Sequence, residues 1–287
     1  KILSHRVEEN GTTSFLVKYP NLSYQHVEWI NQNVFQNEPG AKELISRYII
    51  EYPQGNDPNS PFDPQYLKIE KIITSRQEEG GTKSYLTKWC NLDYHNLTWE
   101  PESSIPNEVL NDFHKSNQIP DFKEHFKGKV DYTTWIPLNI PNFTPKRYQI
   151  EGLKYITHSF CNEQNVIIGD EIGLGSSIQC SMFLKWLSIN ESNKGPFLII
   201  ATEERLQEWK KSLDKLQVGP VLTFLKPKIQ RDIITEFELF YPGTKIAKSN
   251  IILSNFSIQV NNKILSEINW QSIFIDIEHF QTIEEME

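Results

Sequence analysis

Gly173 and Gly175 lie in the run Gly169-Asp170-Glu171-Ile172-Gly173-Leu174-Gly175-Ser176-Ser177, whose chemistry is that of anion binding. Residues 165–168 are apolar and read as a buried strand leading in; residues 178–189 read as a helix leading out. At such a junction glycines let backbone N–H groups close around a phosphate at the helix N-terminus. In a working loop of this kind a Lys after the last glycine reaches the β- and γ-phosphates, and the next Ser or Thr meets Mg²⁺. Here those two positions are Ser176 and Ser177. The metal-binding hydroxyl is kept and the cation is absent. Taken alone, the two glycines also fit an ordinary strand-to-helix turn.

A loop of that kind needs a parallel sheet to hold it. From about Lys129 the sequence alternates strand and helix patterns, with strands expected at 165–168, 196–201, 221–224, 250–254 and 272–276. Helices are expected at 148–160, 178–189, 204–216 and 228–239. This alternation predicts a parallel α/β lobe with ligands at the carboxyl ends of the strands.

The formal charge is −8, and it is shared: residues 1–127 carry 13 basic and 18 acidic side chains, residues 128–287 carry 16 and 19. Neither part has a basic run, so bulk charge gives no support for tight, non-specific nucleic-acid binding. Cys90, Cys161 and Cys180 have no metal-ligand spacing, which predicts reduced thiols rather than a disulfide framework. No apolar run approaches the roughly 20 residues of a membrane helix. The first residue is Lys and no signal peptide precedes it, so the expectation is a fragment or a product cut from a longer reading frame.

The first half repeats itself. Lys1-Ile2-Leu3-Ser4-His5-Arg6, Ser14-Phe15-Leu16-Val17-Lys18-Tyr19 and Glu28-Trp29 return as Lys71-Ile72-Ile73-Thr74-Ser75-Arg76, Ser84-Tyr85-Leu86-Thr87-Lys88-Trp89 and Thr98-Trp99-Glu100. Each copy predicts a hairpin with a Gly-containing turn, a third strand ending at the tryptophan, and a helix, at 42–50 or at 107–114 after Pro106. Residues 52–64, dense in Pro, Gly, Asn and Asp, read as a linker.

Residues 15–29 (FLVKYPNLSYQHVEW) and 85–101 (YLTKWCNLDYHNLTWEP) resemble the chromodomain pattern of a Lys-Trp turn followed by Trp-Glu-Pro. That resemblance implies a histone-tail peptide bound as an added strand. Its methylated lysine would sit in an aromatic cage, where cation–π attraction contributes about 0.5–2 kcal/mol per contact. Tyr19 and Trp89 fall on the first cage position of each copy, and Tyr66 is placed to wall the second. Leu22 and Leu92 stand where the partner aromatic would be. For Trp89 two readings remain, peptide contact or half-buried packing. The resemblance assigns Trp29 and Trp99 to the core.

Four further segments resemble the helicase-like lobe of Swi/Snf-type ATPases: 147–156 (RYQIEGLKYI), 196–213 (PFLIIATEERLQEWKKSL), 250–258 (NIILSNFSI) and 270–280 (WQSIFIDIEHF). With the paired repeats, the chain resembles the chromodomain-helicase-DNA-binding family, nearest its kismet-like subfamily. The resemblance implies chromodomains at 1–51 and 65–117, a linker at 52–64, a bridge at 118–143, and a RecA-like ATPase lobe at 144–287. That lobe is expected to be incomplete, with no second lobe to supply arginines.

By resemblance Gln149 contacts an adenine base, Gly173, Gly175, Ser176 and Ser177 hold the phosphates, and Ser177 and Asp276 hold Mg²⁺ of bound ATP. The family's catalytic Glu follows that Asp directly; here Ile277 intervenes, and Glu278 falls one place late on the opposite strand face. A lost electrostatic contact of this kind costs about 10²–10³ in rate. The expectation is a pseudo-ATPase whose ATP and Mg binding is weak or lost; the alternative is a fragment of an active, DNA-stimulated remodeller. Implied partners are a histone tail, nucleosomal DNA and other chromatin proteins, with no membrane, in the nucleus.

Overall fold

Alternating segments on either side of each polar turn close into antiparallel hairpins. Strand β1 (Ile2–Val7) pairs with β2 (Thr13–Val17), and β2 with β3 (Glu28–Asn31). Helices α1 (Gln32–Phe35) and α2 (Ala41–Glu51) follow. The second copy repeats the order with β4 (Ile69–Gln77), β5 (Lys83–Trp89), β6 (Thr98–Pro101) and helix α3 (Asn107–Ser116). This computed structural model describes residues 1–52, 57–119, 140–141, 143–171, 173–190, 195–225, 227–259 and 263–277, in two units, Lys1–Gln118 and Ile119–Glu287.

The repeat extends to individual contacts. Asn21 and Asn91 both take the left-handed conformation, at φ 61° and 57°, which Asn tolerates in tight turns. The Lys18 ammonium donates to the carbonyls of Tyr19 and Leu22, and that of Lys88 donates to those of Trp89 and Leu92. Arg6 lies 4.4 Å over the Trp29 ring and Arg76 lies 4.1 Å over the Trp99 ring. Both tryptophans are half-buried, each beneath a guanidinium; Trp29 also packs on a buried cluster, in keeping with the core position the family likeness implied, whereas Trp99 joins none of the core clusters among the described residues. Cation–π stacking keeps one ring face covered without displacing the hydrophobic layer.

Each sheet packs its helix on one face. Ile2, Phe15 and Val17 meet Phe35, Ala41, Ile45 and Tyr48 in the first copy; Ile72 and Tyr85 meet Ile105 and Leu110 in the second. A third cluster joins the copies. Leu3, Leu16 and Tyr24 pack with Trp29, Phe62, Tyr66 and Leu92, and the Tyr24 ring centroid lies 5.0 Å from those of both Phe62 and Tyr66. The connector thus contributes the Phe62 ring to a core shared by the two copies.

The second unit is built on a four-stranded parallel sheet of β7 (Phe197–Ile200), β8 (Val221–Phe224), β9 (Ile251–Ser254) and β10 (Ser272–Ile275), ordered β10-β7-β9-β8. Its helices are α4 (Arg147–Cys161), α5 (Ser176–Asn190), α6 (Glu203–Leu216) and α7 (Lys228–Ile233), the last continuing as a π turn through Glu238. Helix α5 carries Met182, Phe183, Leu184, Trp186 and Leu187, all of them buried, into the core of the lobe.

Residues 165–168 do not form the expected strand. They carry no ladder, Ile167 is 92% exposed, and a cavity of about 1720 Å³ is lined by this segment and by β10. Apolar, β-branched residues form a strand only where a neighbour completes the ladder. After α4 the chain is instead turned by Glu163 at φ 57°, while Gln164 N donates to Ser159 O at 2.9 Å.

Candidate nucleotide cleft and its internal ion pair

The loop forms at the start of α5. Gly173 and Gly175 adopt φ of 89° and 88°, and Gln179 N donates to Gly175 O at 3.0 Å, closing the first turn. A Cβ on Gly175 would stand 2.8 Å from Ile178 Cγ2 and 3.1 Å from Gln149 Nε2, so the position is closed to a side chain on two grounds. Ser177 is buried, its Oγ 3.5 Å from Ser212 Oγ, and Gln179 Nε2 donates to Asp170 Oδ2 at 2.5 Å.

Gly173, Gly175, Ser176, Ser177 and Asp276 all line the one cavity. Gln149 does not. Its Oε1 accepts from Lys146 N at 3.0 Å and its Nε2 donates to Leu174 O at 3.2 Å, tying the start of α4 to the loop. Glu278 lies outside the described residues.

Asp276 follows β10, where its N–H extends the ladder to Ile200 O at 2.9 Å. Its carboxylate is 9% exposed and faces α6. Oδ2 accepts from Arg205 Nε at 3.2 Å, Arg205 Nη2 at 3.0 Å and Trp209 Nε1 at 2.8 Å. Arg205, itself 10% exposed, also grips Glu208 through Nη1. Two N–H groups of one guanidinium on one carboxylate, with an indole beside them, make a charge-assisted, strongly oriented contact.

The sequence reading missed Arg205 and Trp209. The signal is present: they stand four apart on α6, on the face that carries Leu206, Leu213 and Leu216 into the core. A charged residue on a buried helical face requires a counter-charge.

The surroundings are acidic. Glu163, Asp170, Glu171, Glu208 and Asp276 line the cavity, and Arg205 is the only basic residue among its described lining. Cys180, also in the lining, is buried, and its thiol pKa is pushed up to about 12 by desolvation, then by the charges of Asp276 and Asp170. Magnesium with a polyphosphate does not fit this arrangement. Oδ2 of Asp276 already accepts from three N–H donors, two of them on a guanidinium, so a metal ion there would have to displace a paired cation.

In the first unit the aromatic residues expected at a peptide site stand apart. Trp89 is 1% exposed and donates Nε1–H to Thr98 Oγ1 at 2.9 Å, which corrects the half-buried reading to full burial. Tyr66 packs against Tyr24 of the first copy. Tyr19 is on the surface, its hydroxyl donating to Glu28 Oε1 at 2.8 Å, a bond that raises its pKa. Among the described residues no helix is long and apolar enough to cross a membrane.

Residues 148–283 match the SNF2-related domain and residues 67–116 the Chromo (CHRromatin Organisation MOdifier) domain. Chromodomain-helicase-DNA-binding protein 6 of Mus musculus is 27% identical over 92% of this chain and 10% of its own length. Chromodomain-helicase-DNA-binding protein 8 of Homo sapiens is 25% identical over 97% and 12%, and Protein CHROMATIN REMODELING 5 of Arabidopsis thaliana 27% over 92% and 17%. The chain thus spans between 10% and 17% of these relatives. A solved SWI2/SNF2 ATPase core from Sulfolobus solfataricus aligns over 55% of this chain and 31% of its own, at 21% identity and a TM-score of 0.42. The chain carries a chromo domain followed by an SNF2-related domain and is homologous to the chromodomain-helicase-DNA-binding proteins.

Proposed function

We propose that this chain is a nuclear, chromatin-associated protein of the kismet-like subfamily, whose ATPase-type lobe is catalytically impaired and serves as a scaffold. Its two sheet-and-helix repeats act as tandem chromodomains that contact a histone tail and nucleosomal DNA, with other chromatin proteins as further partners. The observation that carries the impaired reading is the engagement of Asp276 by Arg205 and Trp209. Ser176 at the loop's cationic position and Ile277 next to Asp276 support it independently. Phosphoryl transfer needs positioned positive charge on the γ-phosphate, and the one guanidinium among the described lining is already committed.

The peptide contact rests on strand addition to a sheet edge rather than on an enclosed cage, because Trp89 and Tyr66 serve as core. Hydrolysis of ATP by the purified chain, with and without nucleosomes, tests the reading. The expected result is nucleosome binding without stimulated turnover. Stimulated hydrolysis lost in Asp276→Ala would overturn it. The second reading, a piece of an active remodeller, draws on the retained Gly173, Gly175, Ser177 and Asp276. It requires nucleosome-stimulated turnover by this chain once joined to a second lobe.

A further inference from the structure

We infer that Arg205 is a built-in counter-ion that stands in for the divalent metal at Asp276 and excludes metal from the cleft. This rests on the proposed reading of the cleft as a disabled nucleotide site and gives it a physical cause. A carboxylate withdrawn from water requires a compensating positive charge. A metal ion is one source; here the charge comes from α6, delivered by two N–H groups of Arg205 onto Oδ2 with Trp209 Nε1 as a third donor.

The pair is fixed from behind. Arg205 is also held by Glu208, and its backbone N–H donates to the Thr202 hydroxyl that caps α6. Trp209 is 3% exposed and packs edge-on against Phe274 of β10, with ring centroids 6.2 Å apart. Displacing Arg205 would therefore strand a guanidinium among buried groups, whereas a metal entering beside it would place two cations at one carboxylate. Both are unfavourable at short range in a partly dry site. The remaining acidic lining, Asp170 and Glu171 among it, repels a polyphosphate that arrives without its metal.

The test uses Mn²⁺ alone, read by electron paramagnetic resonance of the free ion, on the full chain at pH 8. The unsubstituted chain and Asp276→Asn should take up Mn²⁺ equally, through surface carboxylates only. Arg205→Gln, which keeps an N–H donor near Asp276 but removes the charge, should gain at least about tenfold in affinity at one site. Adding Asp276→Asn to it should abolish the gain. Uptake by the unsubstituted chain that depends on Asp276 would overturn the inference, as would a folded Arg205→Gln with no gain. Should Arg205→Gln unfold, the comparison of the unsubstituted chain with Asp276→Asn decides alone, equal uptake supporting the inference. Metal uptake through Asp276 without ATP turnover sinks this inference only; stimulated turnover sinks the proposed function.

Discussion

The indole N–H of Trp89 donates to Thr98 Oγ1 at 2.9 Å, and the Thr98 hydroxyl in turn donates to Glu100 Oε1 at 2.6 Å. All three residues are buried, and the other Glu100 oxygen lies 3.4 Å from His26 Nε2 of the first repeat. A single hydroxyl thus satisfies a buried donor and a buried carboxylate at once.

Thr98→Val removes that hydroxyl with little change of shape. The expected cost is about 2–3 kcal/mol, since two buried polar groups lose a partner, read as a lower urea midpoint. Thr98→Ser keeps the hydroxyl and is expected to lose less than about 1 kcal/mol; equal losses for the two would refute the relay.

Arg205→Ala leaves Asp276 as a buried charge without its cation. Breaking such a pair from one side costs about 3–5 kcal/mol. The double change Arg205→Met with Asp276→Leu removes both charges together and is expected to recover most of that loss. Thermal and urea unfolding of the two variants beside the unsubstituted chain measure the effect.

Cys180 gives a pH dependence of known sign. Its thiol titrates near 9 when unfolded and near 12 when folded, so between those values the unfolded chain binds fewer protons than the native one. Stability from this group is complete below pH 9 and falls as pH rises through 12, at up to about 1.4 kcal/mol per pH unit. Cys180→Ala is expected to flatten that part of the pH profile of urea unfolding, and the native thiol should resist alkylation at pH 8.

Tyr66→Ala opens the cluster that joins the two repeats. It removes a ring packed against both Tyr24 and Phe62, the latter a stacked contact at 6.5 Å. A loss of about 2–3 kcal/mol is expected from buried area and aromatic contact. Limited proteolysis between the repeats should accelerate, whereas a ring serving only as a peptide cage wall would leave proteolysis unchanged.

Much of the architecture was legible because it is local. The repeat's turn residues, its alternating strands and the Pro106 start of α3 are read from neighbours in sequence, as are the amphipathic faces of α4 and α6. Four of the five strands expected in the lobe formed for the same reason. The exception, 165–168, shows where periodicity stops: four apolar residues announce burial or pairing without naming a partner, and here none pairs with them among the described residues. The site followed the same division. The glycines and Asp276 were visible as motif positions, but Arg205 meets Asp276 across 71 residues, a separation that no local pattern encodes. Gln149 was expected at a base and instead braces the loop, because an amide side chain takes whichever backbone groups it can reach.

β10 ends the sheet, and among the described residues nothing pairs with its outer side. Ile273 and Ile275 are each about half exposed there. An unblunted apolar border of this sort is a template for adding strands. A charge at that border should discourage strand addition, so Ile273→Lys is expected to raise the concentration at which the chain stays dispersed, read by light scattering.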